Sequence, residues 1–363
     1  MAALVAVAVF TASLYGTYTG IDGTGRLTMI ALDWAFAIAL LPVGIAVDRV
    51  GVRVVAIVGS ALWGIASLAV VFVSGSSLVA SIALGLAAAT FPVVASKATA
   101  GWFPRSERGM ATALFVAAAS LPFGLYEIRS PFAFVVPHLF VVGGALGVVV
   151  AIVFALAYRS PDDPRVTYAE RTYIERGAAQ PSETPVATAT LLALPRARKI
   201  WVMAVGFGAA GYAFGAGAIL IARTSGDPYV WIASLAFGGG LVDVLVRRNG
   251  ARFRTSILGV GFLSACAVLG ASAHNAFIAG TCIELAVAGY ATVMAIVWSI
   301  PGLIAPRGAV GSVAAIAALA MTIGTAGALA GDGSAEATAL AAIISGACFI
   351  AGLGRIEPVD APV

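Results

Sequence analysis

The sequence predicts an all-α integral membrane protein with twelve transmembrane helices in two pseudo-symmetric six-helix bundles. Three observations predict it: apolar blocks near 20 residues long, basic residues gathered in alternate loops, and a short motif that returns about half a chain later. Hydrophobic residues make up 61% of the 363, charged residues only 10%, and mean hydropathy is +1.01. An ordinary soluble domain carries roughly 25% charged residues, so water is not the main solvent here.

A block near 20 residues is long enough to cross a hydrocarbon core of roughly 30 Å as a helix rising 1.5 Å per residue. The first six expected spans are Ala2 to Tyr18, Leu27 to Val47, Val54 to Ser74, Leu78 to Trp102, Ala111 to Tyr126 and Pro131 to Tyr158. After a polar stretch come Ile200 to Ala222, Tyr229 to Val246, Ile257 to Ser272, Ala276 to Ile304, Val310 to Ala330 and Ala335 to Leu353. Residues 1–158 therefore read as an N-terminal bundle, 159–199 as a cytoplasmic linker, 200–354 as a C-terminal bundle and 355–363 as a cytoplasmic tail. In the linker, Thr167 followed by Glu170 forms a capping box, and Tyr168 to Arg176 before Gly177 reads as a short amphipathic helix.

Counting Lys and Arg alternately by side puts seventeen of the 21 in one set of loops and three in the other, with Lys97 inside a span. By the positive-inside rule both termini and the linker are expected in the cytoplasm, in a multi-pass inner-membrane protein. The same placement explains the net charge of +4 without nucleic acid. Met1 leads straight into Ala2 to Phe10 with no basic segment, so the first span is expected to be retained. Cys266, Cys282 and Cys348 lie in separate apolar blocks without ligand spacing, and neither a metal nor a cofactor is expected. No nucleophile with a base, phosphate loop or paired carboxylates suggests an enzyme.

Between the second and third spans runs Gly44-Ile-Ala-Val-Asp48-Arg49-Val-Gly51-Val-Arg53. Asp48 closes its own helix, where the macrodipole disfavours an anion by roughly 0.3 to 1 kcal/mol, so compensation must come from elsewhere. Arg49, Arg53 and Arg108 share its side of the membrane. The amino end of the eleventh span, after Gly308, offers a positive dipole. Such a latch can form in one conformation and break in another. A weaker copy, Gly239-Gly-Leu-Val-Asp243 with Arg247, repeats the Gly44 to Asp48 spacing 195 residues on; Trp102-Phe-Pro104-Arg105-Ser-Glu107-Arg108-Gly109 is echoed by Ala305-Pro306-Arg307-Gly308 at an offset of 202. Two echoes near half-length imply two six-helix halves with a pathway at their interface.

The Asp48 segment resembles the signature loop of the major facilitator superfamily, G-x-x-x-D-R-x-G-x-R. Phe91-Pro92, Lys97, Trp102-Phe-Pro104, Glu107 and Arg108 are similar to the fourth-helix end of its anion:cation symporter branch, as are Tyr158 through Arg165, Tyr173 through Glu175, and Pro42. The resemblance implies a secondary transporter whose gating residues include Gly44, Asp48, Arg49, Gly51, Arg53, Arg105, Glu107, Arg108, Asp243 and Arg247. It departs from the branch where anion and proton are bound: Ser81 and Ala88 replace an Arg and a Glu in the fourth helix, Leu40 replaces a Gln, and the first span has no charge before Asp22.

An ionisable group in hydrocarbon costs a few kcal/mol and needs a partner or a wet cavity. Asp33 lies roughly 9 Å into the second span and Glu284 roughly 12 Å into the tenth; each reads as a proton carrier or a satisfied buried acid. Lys97, roughly 8 Å from the cytoplasmic end, reads as a functional cation or one that snorkels. His138 beside Pro137 reads as a hydrogen-bonded structural histidine or a proton relay. The leading expectation is a monomeric, proton-coupled carrier of a small organic anion that moves solute across the bilayer by alternating access. An exporter of hydrophobic or cationic compounds is one alternative. A non-transporting sensor or scaffold on a transporter fold is the other, motivated by Ser81 and Ala88.

Overall fold

The computed structural model describes residues 26–73, 77–127, 136–161, 163–176, 186–224, 236–241, 243–244, 294–306, 308–330 and 335–349. Every regular element among them is helical. The spans expected at Ala2 to Tyr18 and Ile257 to Ser272, most of those at Tyr229 to Val246 and Ala276 to Ile304, and the tail lie outside the described residues. Five helical stretches among the described residues are long and apolar enough to cross a membrane: Ile30–Val50, Val52–Phe72, Leu78–Trp102, Phe140–Ala157 and Val310–Ala328.

The Arg26–Val50 helix stops because Gly51 takes φ 94°, a conformation that a side chain disfavours, and the next helix, Val52–Phe72, starts at once. Along that second helix Val52, Val55, Ala56, Gly59, Ser60, Trp63, Gly64 and Ser67 are buried at three- and four-residue spacing, while Val54, Val58, Ile65 and Phe72 are exposed. A stripe of exposed valine and isoleucine would be a liability in water, but it matches hydrocarbon.

Small residues set the packing. A Cβ on Gly64 would lie 2.8 Å from the Gly144 carbonyl oxygen, so the Val52–Phe72 and Val136–Ala157 helices touch through backbone. Gly85 meets the Leu32 carbonyl oxygen of the Arg26–Val50 helix in the same way. The fourth span, Leu78–Trp102, is interrupted at Ala89 into the helices Ser77–Ala88 and Thr90–Trp102. Pro92 has no N–H for the Ala88 carbonyl, and the Thr90 hydroxyl donates to the Ala87 carbonyl at 2.7 Å across the break.

The chain divides into two compact units. One comprises Met1–Pro104, Leu114–Ala187 and Arg307–Ala315; the other comprises Arg105–Ala113, Thr188–Pro306 and Ile316–Val363. In the second, Gly208 and Gly324 bring the Arg198–Thr224 and Val310–Ala330 helices together, and the Thr325 hydroxyl donates to the Gly211 carbonyl at 3.0 Å. Phe207 stands edge-on to Trp298 and to Phe349, at 5.5 and 5.8 Å between centroids. The short linker helix spans Tyr168–Arg176, with the Glu170 N–H donating to the Thr167 hydroxyl oxygen at 3.3 Å and Ile174 turned inward.

Candidate functional site

Asp48 sits in the last turn of its helix, yet its carboxylate is almost wholly buried and fully engaged. Oδ1 accepts the Gly311 N–H at 2.9 Å and Oδ2 the Ser312 N–H at 2.7 Å, the second and third residues of the Val310–Ala330 helix. The first turn of a helix has N–H groups without intrahelical partners and carries the positive end of the dipole, so the carboxylate serves as a cap supplied from a distant part of the chain. Gly44 makes this approach feasible: a Cβ there would lie 2.9 Å from the Gly311 carbonyl oxygen and collide with Ala315. Gly308, at φ 82°, turns the chain into that helix.

The cation beside Asp48 is Lys97 and not one of the three arginines expected from the sequence. Its Nζ donates to Asp48 Oδ1 at 2.7 Å and also to the Gly308 carbonyl, and the side chain is buried, so it does not snorkel. The arginines have other acceptors. Arg53 donates to the Ala155 carbonyl near the carboxyl end of the Val136–Ala157 helix. Arg108, 1% exposed, donates to the Gly302 carbonyl at 2.6 Å, near the end of the helical stretch Met294–Ile304. Both are cations at the negative end of a helix dipole, where they are favoured. Reach explains the assignment: a lysine one helix away projects an unbranched stem to a buried oxygen, whereas Arg53 lies past the turn, on the far side of Gly51.

Asp243 repeats the arrangement. Its Oδ1 accepts the Gly109 N–H at 2.7 Å and its Oδ2 the Met110 N–H at 3.0 Å, again the second and third residues of a helix, Arg108–Glu127. A Cβ on Gly239 would lie 2.7 Å from the Gly109 carbonyl oxygen and press on Ala113. Each carboxylate thus caps a helix from the other half of the sequence, each inside one compact unit. The partners Gly109 and Met110 escaped the sequence reading although their signal was present. The offset that relates Pro104 to Pro306 also relates Gly109 to Gly311 and Met110 to Ser312.

The remaining expected residues scatter. Arg49 is exposed; Arg105 and Glu107 are partly buried in the turn before Arg108, and the Arg105 Nε makes no hydrogen bond there. Asp33 is exposed. It lies on the helical stripe that carries Leu40, Gly44 and Val47, not on the outward apolar stripe of Ile30, Trp34, Leu41 and Ile45. His138 belongs to the Val136–Ala157 helix, but its side chain, like Glu284 and Arg247, lies outside the described residues. Among the described residues no group of His, Cys, Asp and Glu could hold a metal.

Comparison with known proteins agrees with this helical architecture. Residues 2–329 match the family model of the Major Facilitator Superfamily. The chain is 30% identical over 321 residues to the uncharacterized transporter YybO of Bacillus subtilis, covering 79% of this chain and 72% of that one. It is 32% identical over 162 residues to the probable galactarate/D-glucarate transporter GudP of Bacillus subtilis, a match covering 40% of this chain and 35% of that one. In structure it is similar to FucP in its outward conformation, with a TM-score of 0.65, 14% identity, and coverage of 96% of this chain and 95% of that one. The matched residues span nearly the whole sequence, the fold is that of transporters with twelve transmembrane helices in two halves, and the chain belongs to the Major Facilitator Superfamily, a family of membrane transporters and not of enzymes.

Proposed function

We propose that the protein is a proton-coupled secondary transporter that moves a small organic anion of the sugar-acid class by alternating access. The observation that carries the transport cycle is the pair of buried carboxylates, Asp48 and Asp243, each capping a helix from the other half of the sequence across a glycine contact. Bonds of this kind, made to helix ends rather than within helices, can be broken and remade without unfolding a span. Gly44, Asp48, Gly51 and Asp243, with Arg49, Arg53, Arg105, Glu107, Arg108 and Arg247, are assigned to the gating set, and Lys97 acts in it as the partner of Asp48. The solute class is supported by the name of a relative, the probable galactarate/D-glucarate transporter.

Coupling is assigned to Asp33 and Glu284. Asp33 supports the assignment by its place: an exposed carboxyl on the stripe that continues from Gly44, away from the outward apolar face. His138 is kept as a relay candidate. The basic residues of the linker and cytoplasmic-side loops favour an inner-membrane protein with both termini inside the cell.

The test is uptake of galactarate or D-glucarate into proteoliposomes under an imposed pH gradient, set beside solute counterflow without one. Asp33→Asn is expected to abolish accumulation driven by the gradient while leaving counterflow. Gradient-driven accumulation that survives both Asp33→Asn and Glu284→Gln removes the two groups from coupling, and absence of flux for any sugar acid removes the substrate class. A second reading is favoured by the buried hydroxyl of Ser81, where a branch relative has a charge: a non-transporting sensor. It is distinguished by ligand binding without flux.

A further inference from the structure

The turn at residues 193–201 carries a surface that the transport cycle does not use. The short Thr188–Ala193 helix runs into a single 3-10 turn, Leu194–Arg196, and the Arg198–Thr224 helix begins two residues later. Pro195 enforces the break, and the Ala197 N–H closes the turn on the Leu194 carbonyl at 3.1 Å. Leu194, Ile200 and Met203 point inward and are almost wholly buried. Leu192 and Trp201 point outward at 66% and 60% exposure, and Arg196 and Arg198 are exposed beside them.

Trp201 is held in this pose, since its indole Nε1 donates to the Pro195 carbonyl at 2.6 Å. The ring is fixed across the turn with its polar edge satisfied and its apolar face free, the disposition tryptophan adopts at a bilayer interface. The charge along this stretch of chain is of one sign. Arg196, Arg198 and Lys199 occur within four residues, and the chain has no acidic residue between Glu183 and Asp227. The surface stands at the foot of a helix expected to enter the membrane, so its two apolar side chains and two exposed guanidinium groups meet the headgroup layer together.

We propose that this turn binds the phosphate headgroups of anionic phospholipids in the adjoining leaflet, with Arg196 and Arg198 contacting the phosphate and Trp201 and Leu192 lying among the proximal acyl carbons. A guanidinium presents paired donors to phosphate oxygens, and a neutral or zwitterionic headgroup compensates them less well. The assignment is independent of which solute is carried.

The experiment is native mass spectrometry of the full-length protein released from micelles doped with phosphatidylglycerol or with phosphatidylcholine of the same acyl chains. The wild type is expected to retain phosphatidylglycerol in preference. Arg196→Gln with Arg198→Gln is expected to lower that retention by roughly fivefold for each charge removed. Arg196→Lys with Arg198→Lys is expected to keep most of it, and Trp201→Ala to lower retention of both lipids. Equal retention of the two lipids by the wild type, or phosphatidylglycerol retention unchanged in the double glutamine variant, overturns the proposal. Both arginines are exposed, so the variants are expected to fold, and an unchanged melting temperature checks that they do.

Discussion

Asp48 and Asp243, 195 residues apart, make the same contact twice: each carboxylate accepts the N–H groups of the second and third residues of a helix from the other half of the sequence. Asp48 also holds an ammonium group, Lys97, in a buried ion pair, which mutation can probe.

Asp48→Asn leaves Lys97 buried opposite a neutral amide and replaces one of the two accepting oxygens with an NH2 donor. Breaking a buried pair from one side costs about 3 to 5 kcal/mol, so a large drop in melting temperature and loss of transport are expected. Lys97→Met alone leaves Asp48 with both N–H donors and is expected to cost less. The double variant Asp48→Asn with Lys97→Met is expected to melt above Asp48→Asn alone, because no charge remains unpaired. Additive melting shifts would show that the two groups are not coupled.

Gly44→Ala and Gly239→Ala place a methyl against the Gly311 and Gly109 carbonyl oxygens, at 2.9 and 2.7 Å before any relaxation. Overpacking of this kind costs about 1 to 3 kcal/mol, and here it also lengthens the bonds to Asp48 and Asp243. Both variants are expected to lose transport while remaining folded. Gly240→Ala, whose nearest neighbour would be the Met110 Cε at 3.5 Å, serves as the control and should transport normally. Uptake assays on the three variants at matched expression decide it.

Gly308→Ala tests the turn by itself. With φ at 82° an added Cβ costs about 1 to 2 kcal/mol, and the strain falls on the carbonyl that Lys97 holds. A lower melting temperature is expected, and Lys97→Met should make the protein less sensitive to the change.

The linker turn responds to pH only well below neutrality. Arg165 donates to Asp163 through its side chain and backbone, and holds that carboxyl down at about 2. A carboxyl lowered on folding contributes above its unfolded value, near 3.9, and loses that contribution as pH falls toward 2. Asp163→Asn is therefore expected to leave the pH profile of uptake unchanged between pH 5 and 8. A shifted profile would place the linker in the coupling machinery.

The sequence by itself determined the solvent and the fold class of twelve helices in two halves, because those rest on block length, charge bias and repetition, which are one-dimensional properties. It also pointed Asp48 to the helix after Gly308, since a carboxylate at the wrong end of its own dipole needs a positive helix end. Partner choice was decided by the tertiary structure. That Lys97 and not Arg49, Arg53 or Arg108 reaches Asp48 depends on which side chain can arrive at a buried oxygen through a glycine-lined contact. The break at Ala89, by contrast, is local: Pro92 has no N–H for the Ala88 carbonyl, and Thr90 reaches back only three residues to the Ala87 carbonyl. Spacing names the residues that can meet, but packing and reach select the pairs that do.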